Sequence, residues 1–303
     1  MQLLLTGLRY FEEVARQGSL RKAADRLHVA ASAVNRQILK LEDELGVALF
    51  ERLPRGLRLS PAGELMLAQV RRWQHDERQL LETLGDIRGT GCAEIRIAAV
   101  ESLTDQVLPE LLGRFGERFP RVRFALHTGL TEDILERVAT GEADIGICMN
   151  PPPIRRIRFI EAVELGFGVV VAPSHPLAAA SEVRLSECRD YPAILPDAEM
   201  FRGSTLERVL AQSDIELTPL AGCNRILAIK SLARAGLGVA FLNALDVARE
   251  LAHGELVFRP LRNPRVEGAR LVLCSAADRS LPMAAEVLVE ELSVAIRALA
   301  PRG

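Results

Sequence analysis

The chain has 303 residues, of which 49% are hydrophobic and 26% are charged. It is therefore long and apolar enough for two folded domains, and it is not intrinsically disordered. Its 38 basic and 40 acidic side chains give a net charge of −2, which excludes a histone-like or polybasic protein. The charge is mildly polarised, because residues 1–89 carry a net charge of +2 and residues 90–303 carry −4.

Neither a membrane span nor a secretory signal is predicted. The most apolar stretch, residues 165–180, is interrupted by Pro173 and Pro176, and charged residues from Arg9 onward break up the N-terminus. The five cysteines are odd in number, widely spaced and never in a CxxC pair, which argues against a disulfide framework or a zinc site. We therefore expect a cytoplasmic protein with reduced thiols, no cofactor, no metal ion and no membrane partner.

Helical spacing of apolar residues predicts three helices near the N-terminus. The first contains Phe11 and ends at Gly18, the second runs from the N-cap Ser19 to Leu27, and the third runs to about Leu45. The third helix is expected to bury one apolar stripe and to point its polar residues outward. The residues of that stripe are Val34, Ile38, Leu41 and Leu45.

Residues 49–59 are predicted to form a β-hairpin whose turn is Pro54-Arg55-Gly56. Ser60-Pro61 then begins a long helix, because no glycine or proline occurs between Gly63, in its first turn, and Gly85. The second half of this helix carries an apolar stripe without a local partner, so we expect it to pack against a second subunit. The predicted dimerisation residues are Trp73, Leu80, Leu84 and Ile87.

From residue 90 onward, strands alternate with helices, which predicts an α/β fold with parallel strands joined by crossover helices. The predicted strands cover residues 94–100, 122–127, 144–149, 157–172, 239–242, 256–261 and 270–274. The predicted helices cover residues 105–119, 131–140, 207–212, 224–235 and 284–299.

Two short helices followed by an arginine-rich hairpin are typical of a winged helix-turn-helix, whose second helix fits the major groove of DNA. Base-edge contacts are expected from Ser32, Asn35 and Arg36, near the start of the third predicted helix. Phosphate or minor-groove contacts are expected from the other basic residues, which are Arg21, Lys22, Lys40, Arg52, Arg55 and Arg58. If periodicity alone is considered, the alternative to a DNA-binding domain is an ordinary helical surface with scattered arginines.

Short runs of residues occur in a fixed order between positions 8 and 64. They are LRYF at 8–11, GSL at 18–20, AA at 23–24, SAVNRQI at 32–38, ELG at 44–46, LFER at 49–52 and LSPAGE at 59–64. These runs resemble the DNA-binding signature of the LysR-type transcriptional regulators. Looser similarity continues through LP at 108–109, FP at 119–120, GEADIGI at 141–147, HPL at 175–177 and AGLGVA at 235–240. Ala31, Asn35 and Arg225 depart from the family pattern, so neither the operator sequence nor the ligand class carries over.

The resemblance implies a winged helix-turn-helix, a long linker helix and a two-lobed, periplasmic-binding-protein-like effector domain. It also implies a double-stranded DNA operator, a small-molecule effector, a homodimer or homotetramer, and RNA polymerase as a further candidate partner. The predicted boundaries are 1–60 for the DNA-binding domain, 61–89 for the linker and 90–303 for the effector domain. The first lobe is expected at about 92–163 and 267–303, and the second at about 164–266.

Polar residues between the predicted strands and helices are candidates for effector binding, because helix N-termini beside a cleft favour anions and polar ligands. N-capping is the alternative for each single hydroxyl, and the protein core is the alternative for the apolar candidates. Arg202 and Arg225 are suited to pairing with a ligand carboxylate. The full set is Ser102, Thr104, Thr128, Gly129, Thr131, Met149, Arg202, Ser204, Asn224, Arg225 and Phe241.

An enzyme is the rival interpretation. The chain contains no GxSxG, GxGxxG, P-loop or HExxH motif. Cys148 stands at a predicted strand end, but the nearest histidine in sequence, His127, has no evident orienting partner, so a buried structural cysteine is favoured. We expect no catalytic residues. The alternative is a cytoplasmic small-molecule-binding protein or enzyme whose N-terminal helices serve only dimerisation.

Overall fold

The computed structural model describes residues 6–53, 56–87, 93–105, 107–262 and 268–300, without the side chains of residues 78–79, 82–83 and 85–87. The chain divides into two compact units. One comprises Met1–Cys92 with Thr140–Glu142, and the other comprises Ala93–Ala139 with Ala143–Gly303. Among the described residues, no helix is long and apolar enough to cross a membrane.

The N-terminal unit contains the predicted helices and hairpin. Ser19 begins the second helix by accepting a hydrogen bond from the Lys22 amide at 3.4 Å, and Gly46 ends the third with a positive φ of 70°. A buried core containing Phe11, Val34 and Val70 packs these elements together. The elements are α1 (Thr6–Gln17), α2 (Leu20–Leu27), α3 (Ala31–Leu45), β1 (Phe50–Leu53), β2 (Gly56–Leu59) and α4 (Pro61–Ile87).

The predicted core stripe of α3 is wrong at its last residue. Val34 and Ile38 are buried and Leu41 packs against them, but the side chain of Leu45 is 46% exposed. Leu45 lies in the last turn of α3, directly before Gly46, whose positive φ ends the helix. Apolar periodicity therefore predicted a core stripe on α3 that is one helical turn longer than the part of the helix that packs in the core.

Two five-stranded sheets form the C-terminal unit, and each carries its own core. The first sheet has the order β4-β3-β5-β12-β6 and the second the order β11-β7-β10-β8-β9. We call the body around the first sheet the first lobe and the body around the second sheet the second lobe. The strands are β3 (Glu94–Ala99), β4 (Arg123–Thr128), β5 (Ile145–Met149), β6 (Ile157–Leu165), β7 (Phe167–Val171), β8 (Pro192–Pro196), β9 (Thr218–Cys223), β10 (Val239–Asn243), β11 (Val257–Pro260) and β12 (Ala269–Ala276).

Helices cover the sheets of both lobes. Phe115 and Leu288, from two of these helices, are fully buried in the core of the first lobe, and Ile229 is buried in the second. The helices are α5 (Glu101–Thr104), α6 (Val107–Arg118), α7 (Thr131–Thr140), α8 (Ala198–Phe201), α9 (Thr205–Ala211), α10 (Ile226–Arg234), α11 (Ala248–Ala252) and α12 (Met283–Arg297).

The strands β3, β4 and β5 are parallel, as the alternation of strands and helices predicts, but both sheets also contain antiparallel strands. β3 pairs in parallel with β4 and β5, and β8 with β9 and β10, but β12 and β7 run antiparallel to their neighbours. β12 returns to the first lobe from the second, so it does not follow a crossover helix within its own sheet. The predicted strand at residues 157–172 is two strands, because Gly166 separates β6 in one sheet from β7 in the other.

Candidate functional site

Helix α3 exposes the residues expected to contact bases. The side chains of Ser32 and Arg36 are exposed and that of Asn35 is half-buried, while Val34 and Ile38 face the core on the opposite side. Arg36 makes no ion pair with any residue that the structure describes, whereas Lys40 lies 3.7 Å from Glu44. An arginine that is exposed and unpaired remains available for two parallel hydrogen bonds to a guanine edge.

The predicted phosphate contacts surround α3 on the same unit. Arg21 and Lys22 are exposed on α2, and Arg52 and Arg58 are exposed on the hairpin. The Arg58 guanidinium lies 2.6 Å from the Glu51 carboxylate, and this hydrogen bond raises the pKa of Arg58. Arg55 lies outside the described residues.

Glu42, which sequence reasoning missed, fixes the hairpin to the recognition helix. Its Oε1 atom accepts hydrogen bonds from the amides of Leu49 at 2.7 Å and Phe50 at 3.2 Å. The other end of the hairpin is fixed by Gly18, whose carbonyl accepts a hydrogen bond from the Leu57 amide at 2.8 Å. Gly56 has a φ of 130°, and a Cβ atom there would lie 2.7 Å from the same carbonyl, so the contact requires glycine. Hydrogen bonds from its backbone amides, to the Glu42 carboxylate on one side and to the Gly18 carbonyl on the other, therefore position the hairpin.

Helix α4 carries the stripe predicted to dimerise. Within the unit to which α4 belongs, the side chains of Trp73, Leu80 and Leu84 are 40%, 49% and 41% exposed. A spacing of seven and then four residues places the three on one helical face. The side chain of Ile87 lies outside the described residues.

The effector candidates of the first lobe collect near the carboxyl ends of its parallel strands. Ser102 and Thr104 lie on α5, which follows β3, and both line a cavity of about 210 Å³. Thr128 ends β4, and the amide of Gly129 donates a hydrogen bond to the Ala99 carbonyl at 3.2 Å. The Thr131 hydroxyl donates a hydrogen bond to the Met149 carbonyl at 2.7 Å and accepts one from the Met149 amide at 3.1 Å. Thr131 thus holds the end of β5.

The candidates of the second lobe are spread more widely. Arg202 is exposed after α8, and the Ser204 hydroxyl caps α9 by accepting a hydrogen bond from the Glu207 amide at 3.1 Å. Asn224 and Arg225 are exposed before α10, and Phe241 is buried in the core of this lobe. Of the effector candidates, Ser102 and Thr104 line the cavity. From the second lobe, the cavity is lined by residues of α10 and of the segment after β10.

Charged residues between the lobes form contacts that the sequence did not reveal. Glu101 of the first lobe accepts hydrogen bonds at 3.3 Å from the Ile226 and Leu227 amides, which begin α10 of the second lobe. The Lys230 ammonium lies 3.3 Å from Asp105 Oδ2 and 2.9 Å from Glu250 Oε1. One signal pointed to this cluster: Lys230 interrupts the apolar residues of a short helix that is otherwise buried on that face.

A second polar contact between the lobes surrounds Asn150, which has a positive φ of 49° at the end of β5. Its side-chain amide donates to the Thr205 hydroxyl at 3.2 Å and its carbonyl oxygen accepts from Arg208 at 3.2 Å. The same oxygen accepts a hydrogen bond from the Arg270 amide at 2.8 Å. Asn150 therefore ties the edge of the first lobe to α9 of the second.

Cys148 lacks the environment of a nucleophile. It is fully buried, and a hydrogen bond with Cys274 together with burial raises the pKa of its thiol, so it stays protonated. The expectation that His127 has no partner is wrong, since its Nε2 atom lies 2.6 Å from Asp133 Oδ2. The partner sits on α7, six residues later, and becomes adjacent when the chain turns at Gly129.

Comparisons with known proteins agree with this geometry. The family described as "Bacterial regulatory helix-turn-helix protein, lysR family" matches residues 5–64, and "LysR substrate binding domain" matches residues 88–295. A probable RuBisCO transcriptional regulator from Cyanophora paradoxa is 27% identical over 294 residues, covering 95% of this chain and 90% of that protein.

Solved structures show the same fold. Full-length OxyR from Pseudomonas aeruginosa, solved as a point variant, superposes with a TM-score of 0.68 at 24% identity, covering 98% of this chain and 95% of the other. Full-length CbnR in complex with its target DNA superposes with a TM-score of 0.63 at 22% identity, covering 97% and 99%. The chain belongs to the LysR family of transcriptional regulators, with a DNA-binding helix-turn-helix and a two-lobed effector domain.

Proposed function

We propose that this chain reads a dyad-symmetric operator as a dimer and adjusts that binding when a small molecule occupies the cleft between its two lobes. In this proposal residues 1–60 bind DNA, residues 61–89 dimerise and residues 90–303 sense the effector, with lobes at about 92–163 plus 267–303 and about 164–266. The observation that carries the proposal is the position of Arg36, which is exposed and makes no ion pair with the residues that the structure describes. It lies on a helix to which Glu42 fixes the neighbouring hairpin.

The residues divide by role. Ser32, Asn35 and Arg36 contact base edges, and the other basic residues contact phosphates or enter a minor groove. Those residues are Arg21, Lys22, Lys40, Arg52, Arg55 and Arg58. Effector contacts come from Ser102 and Thr104 at the cavity and from the remaining candidates around the cleft. Closing of the lobes then changes the spacing of the two DNA-binding heads.

Replacing Arg36 by alanine should cost about 1–3 kcal/mol of specific operator affinity while leaving the fold intact. Operator fragments are first obtained by selecting sheared genomic DNA of the source organism on the wild-type protein and sequencing it. Fluorescence anisotropy then compares the wild type, the Arg36→Ala variant and Arg114→Ala, a control that removes an exposed arginine from the other unit. Affinity should also fall steeply with salt, because arginine–phosphate contacts release counterions.

Equal affinity of the Arg36→Ala variant and the wild type for the selected fragments would contradict the base-reading role. Selection that enriches no common sequence would contradict operator binding as such. That second outcome favours the rival, in which the N-terminal helices serve only dimerisation.

Charge introduced into the α4 stripe should weaken the dimer. A Leu80→Lys substitution places an ammonium in the face shared with Trp73 and Leu84, where a partner helix would have to desolvate it. We expect sedimentation velocity to show a shift toward the monomer and operator affinity to fall with it. Leu237→Lys, at a leucine that is 43% exposed in the other unit, is the control. An unchanged sedimentation coefficient for Leu80→Lys would contradict dimerisation through this stripe.

The same proposal includes a homotetramer, RNA polymerase as a partner and a cytoplasmic location, where free thiols such as Cys148, Cys188 and Cys274 stay reduced. It assigns the chain no catalytic residue, in keeping with the buried, protonated Cys148.

A further inference from the structure

Two acidic residues of the first lobe lie against one helix of the second. Glu101 begins α5 and Asp105 directly follows it, so a spacing of four residues places both carboxylates on one side of this turn, about 6 Å apart along its axis. On α10, Lys230 comes four residues after Ile226, which begins the helix. The acidic pair and the start of α10 therefore have the same spacing, one helical turn.

Contacts join the two lobes at both positions. Both carboxylate oxygens of Glu101 accept hydrogen bonds from the first two amides of α10, Ile226 and Leu227, each at 3.3 Å. One turn further along, Asp105 Oδ2 lies 3.3 Å from the Lys230 ammonium. One carboxylate thus faces the positive end of the helix dipole, and the other faces a cation. Both attractions pass from one lobe to the other.

The burial of Lys230 makes the second of these contacts costly to lose. Its side chain is 7% exposed, and its ammonium lies 2.9 Å from Glu250 in its own lobe and 3.3 Å from Asp105 in the other. Separating the lobes would remove one of these two carboxylates, and a buried charge that loses a partner is destabilising. Arg249 of the second lobe, 63% exposed, adds a weaker attraction at 4.0 Å from Asp105.

The lobes also meet at Asn150, which follows β5. Its side-chain amide donates a hydrogen bond to the Thr205 hydroxyl at 3.2 Å, and its side-chain oxygen accepts one from Arg208 at 3.2 Å. Thr205 is buried and begins α9. This contact involves neither Glu101 nor Asp105, so it reports independently on whether the lobes are together.

We propose that Glu101 and Asp105 form a latch that holds the two lobes together from within the chain, so that lobe closure does not depend on an effector alone. Both residues, with Lys230, line the cavity of about 210 Å³, so a molecule that occupies the cavity contacts the latch. An anion reaches the α10 amides only by displacing Glu101, which is tethered beside them. The inference rests on the proposed function in one respect, that the arrangement of the lobes governs operator binding.

Capping of α10 alone is the alternative role for Glu101. Two features favour a latch. The carboxylate comes from the other lobe, 125 residues before the helix that it caps, whereas Ser204 caps α9 from the position directly before that helix. Asp105 then repeats the bridge at Lys230, one turn into α10, where no helix end has to be capped.

Hydrogen–deuterium exchange of the full chain, measured by mass spectrometry, tests the latch. Glu101 is replaced by alanine, and exchange is followed in residues 224–230 at the start of α10 and residues 203–209 at the start of α9. Exchange in the first segment should rise by at least about tenfold, because its amides lose a charged acceptor. Exchange in the second segment should also rise, because separation of the lobes opens the contact between Asn150 and Thr205.

Asp105→Asn tests the latch without touching the α10 amides, and its half-exposed position makes unfolding of the variant unnecessary for any effect. It should raise exchange at the start of α9 in the same direction as Glu101→Ala, by a smaller factor. Glu187→Ala is the matched control, because Glu187 accepts a hydrogen bond from the Arg184 amide at 2.7 Å within the second lobe. This control should leave both segments unchanged. Circular dichroism melts establish that each variant is folded.

The outcomes separate the latch from the proposed function. If Glu101→Ala raises exchange at the start of α10 alone, Glu101 is only a helix cap and the latch is wrong. Unchanged exchange in both segments would equally overturn it. If both segments open while the DNase I footprint on the selected operator fragments matches that of the wild type, the latch stands. In that case the proposed link between the lobes and the DNA-binding heads is wrong.

Discussion

Replacing Lys230 by methionine should lower the free energy of unfolding of the C-terminal unit by about 3–5 kcal/mol. The Lys230 side chain is 7% exposed, and its ammonium lies 2.9 Å from the Glu250 carboxylate, which is 10% exposed. Methionine fills similar space but leaves the Glu250 charge buried without its cation. The Oε2 atom of Glu250 already lacks a hydrogen-bond partner among the described residues, so no second donor is at hand. Urea unfolding followed by circular dichroism measures the change.

The same helix offers a matched control for this substitution. Arg234 pairs with Glu255 at 2.6 Å, but their side chains are 50% and 44% exposed. Arg234→Met should therefore cost about 0–1 kcal/mol. Adding Glu250→Gln to Lys230→Met should restore most of the lost stability, because it removes the unpaired charge. Equal losses of unfolding free energy for Lys230→Met and Arg234→Met would show that burial of the Lys230–Glu250 pair does not increase the cost of breaking it.

Phe11→Ala should cost the N-terminal unit about 3–5 kcal/mol and abolish operator binding at moderate temperature. Phe11 is fully buried at the centre of the helix-turn-helix, and its ring lies 5.3 Å from the ring of Phe50 on the hairpin. The substitution leaves a cavity where α1 and β1 meet. For a unit of this size the melting temperature should fall by at least about 12 °C. Differential scanning calorimetry and anisotropy with operator DNA measure the two effects.

Leu45→Ala is the control for Phe11→Ala, because Leu45 is exposed at the end of α3. Its effect should stay within about 0.5 kcal/mol. A large loss at Leu45 with a small loss at Phe11 would mean that the unit packs around the end of α3 rather than around Phe11. The pair therefore tests the packing of the unit.

The DNA-binding unit could be predicted closely from sequence because its structure is specified locally. Ser19, Gly46 and Pro61 mark helix ends by capping and backbone geometry, and the helices lie where those residues place them. The miss at Leu45 arises because periodicity identifies a helical face without showing how far the neighbouring elements extend. The strands β8 and β9 were missed because prolines begin or interrupt them, at Pro192 and Pro219, and weaken the strand pattern.

The effector cleft was less predictable because its contacts join distant parts of the chain. Glu101 and Ile226 are separated by 125 residues, and nothing local indicates that one caps the helix begun by the other. Sequence reasoning selected hydroxyls next to helix starts as candidates for binding anions or polar ligands. It did not show that the Glu101 carboxylate of the first lobe accepts hydrogen bonds from the α10 amides of the second. A pattern read along the chain identifies which groups are near a cleft but not which of them face each other.

The anchoring of the hairpin has an evolutionary consequence. The hairpin is held by Glu42, Gly18 and Gly56, and the helix core by Phe11 and Val34, none of which is proposed to contact a base. The positions proposed to read sequence, Ser32 and Arg36, are exposed and carry little of the fold's stability. Substitutions there can accumulate without unfolding the protein, so descendants of such a chain can acquire new target genes while keeping one architecture.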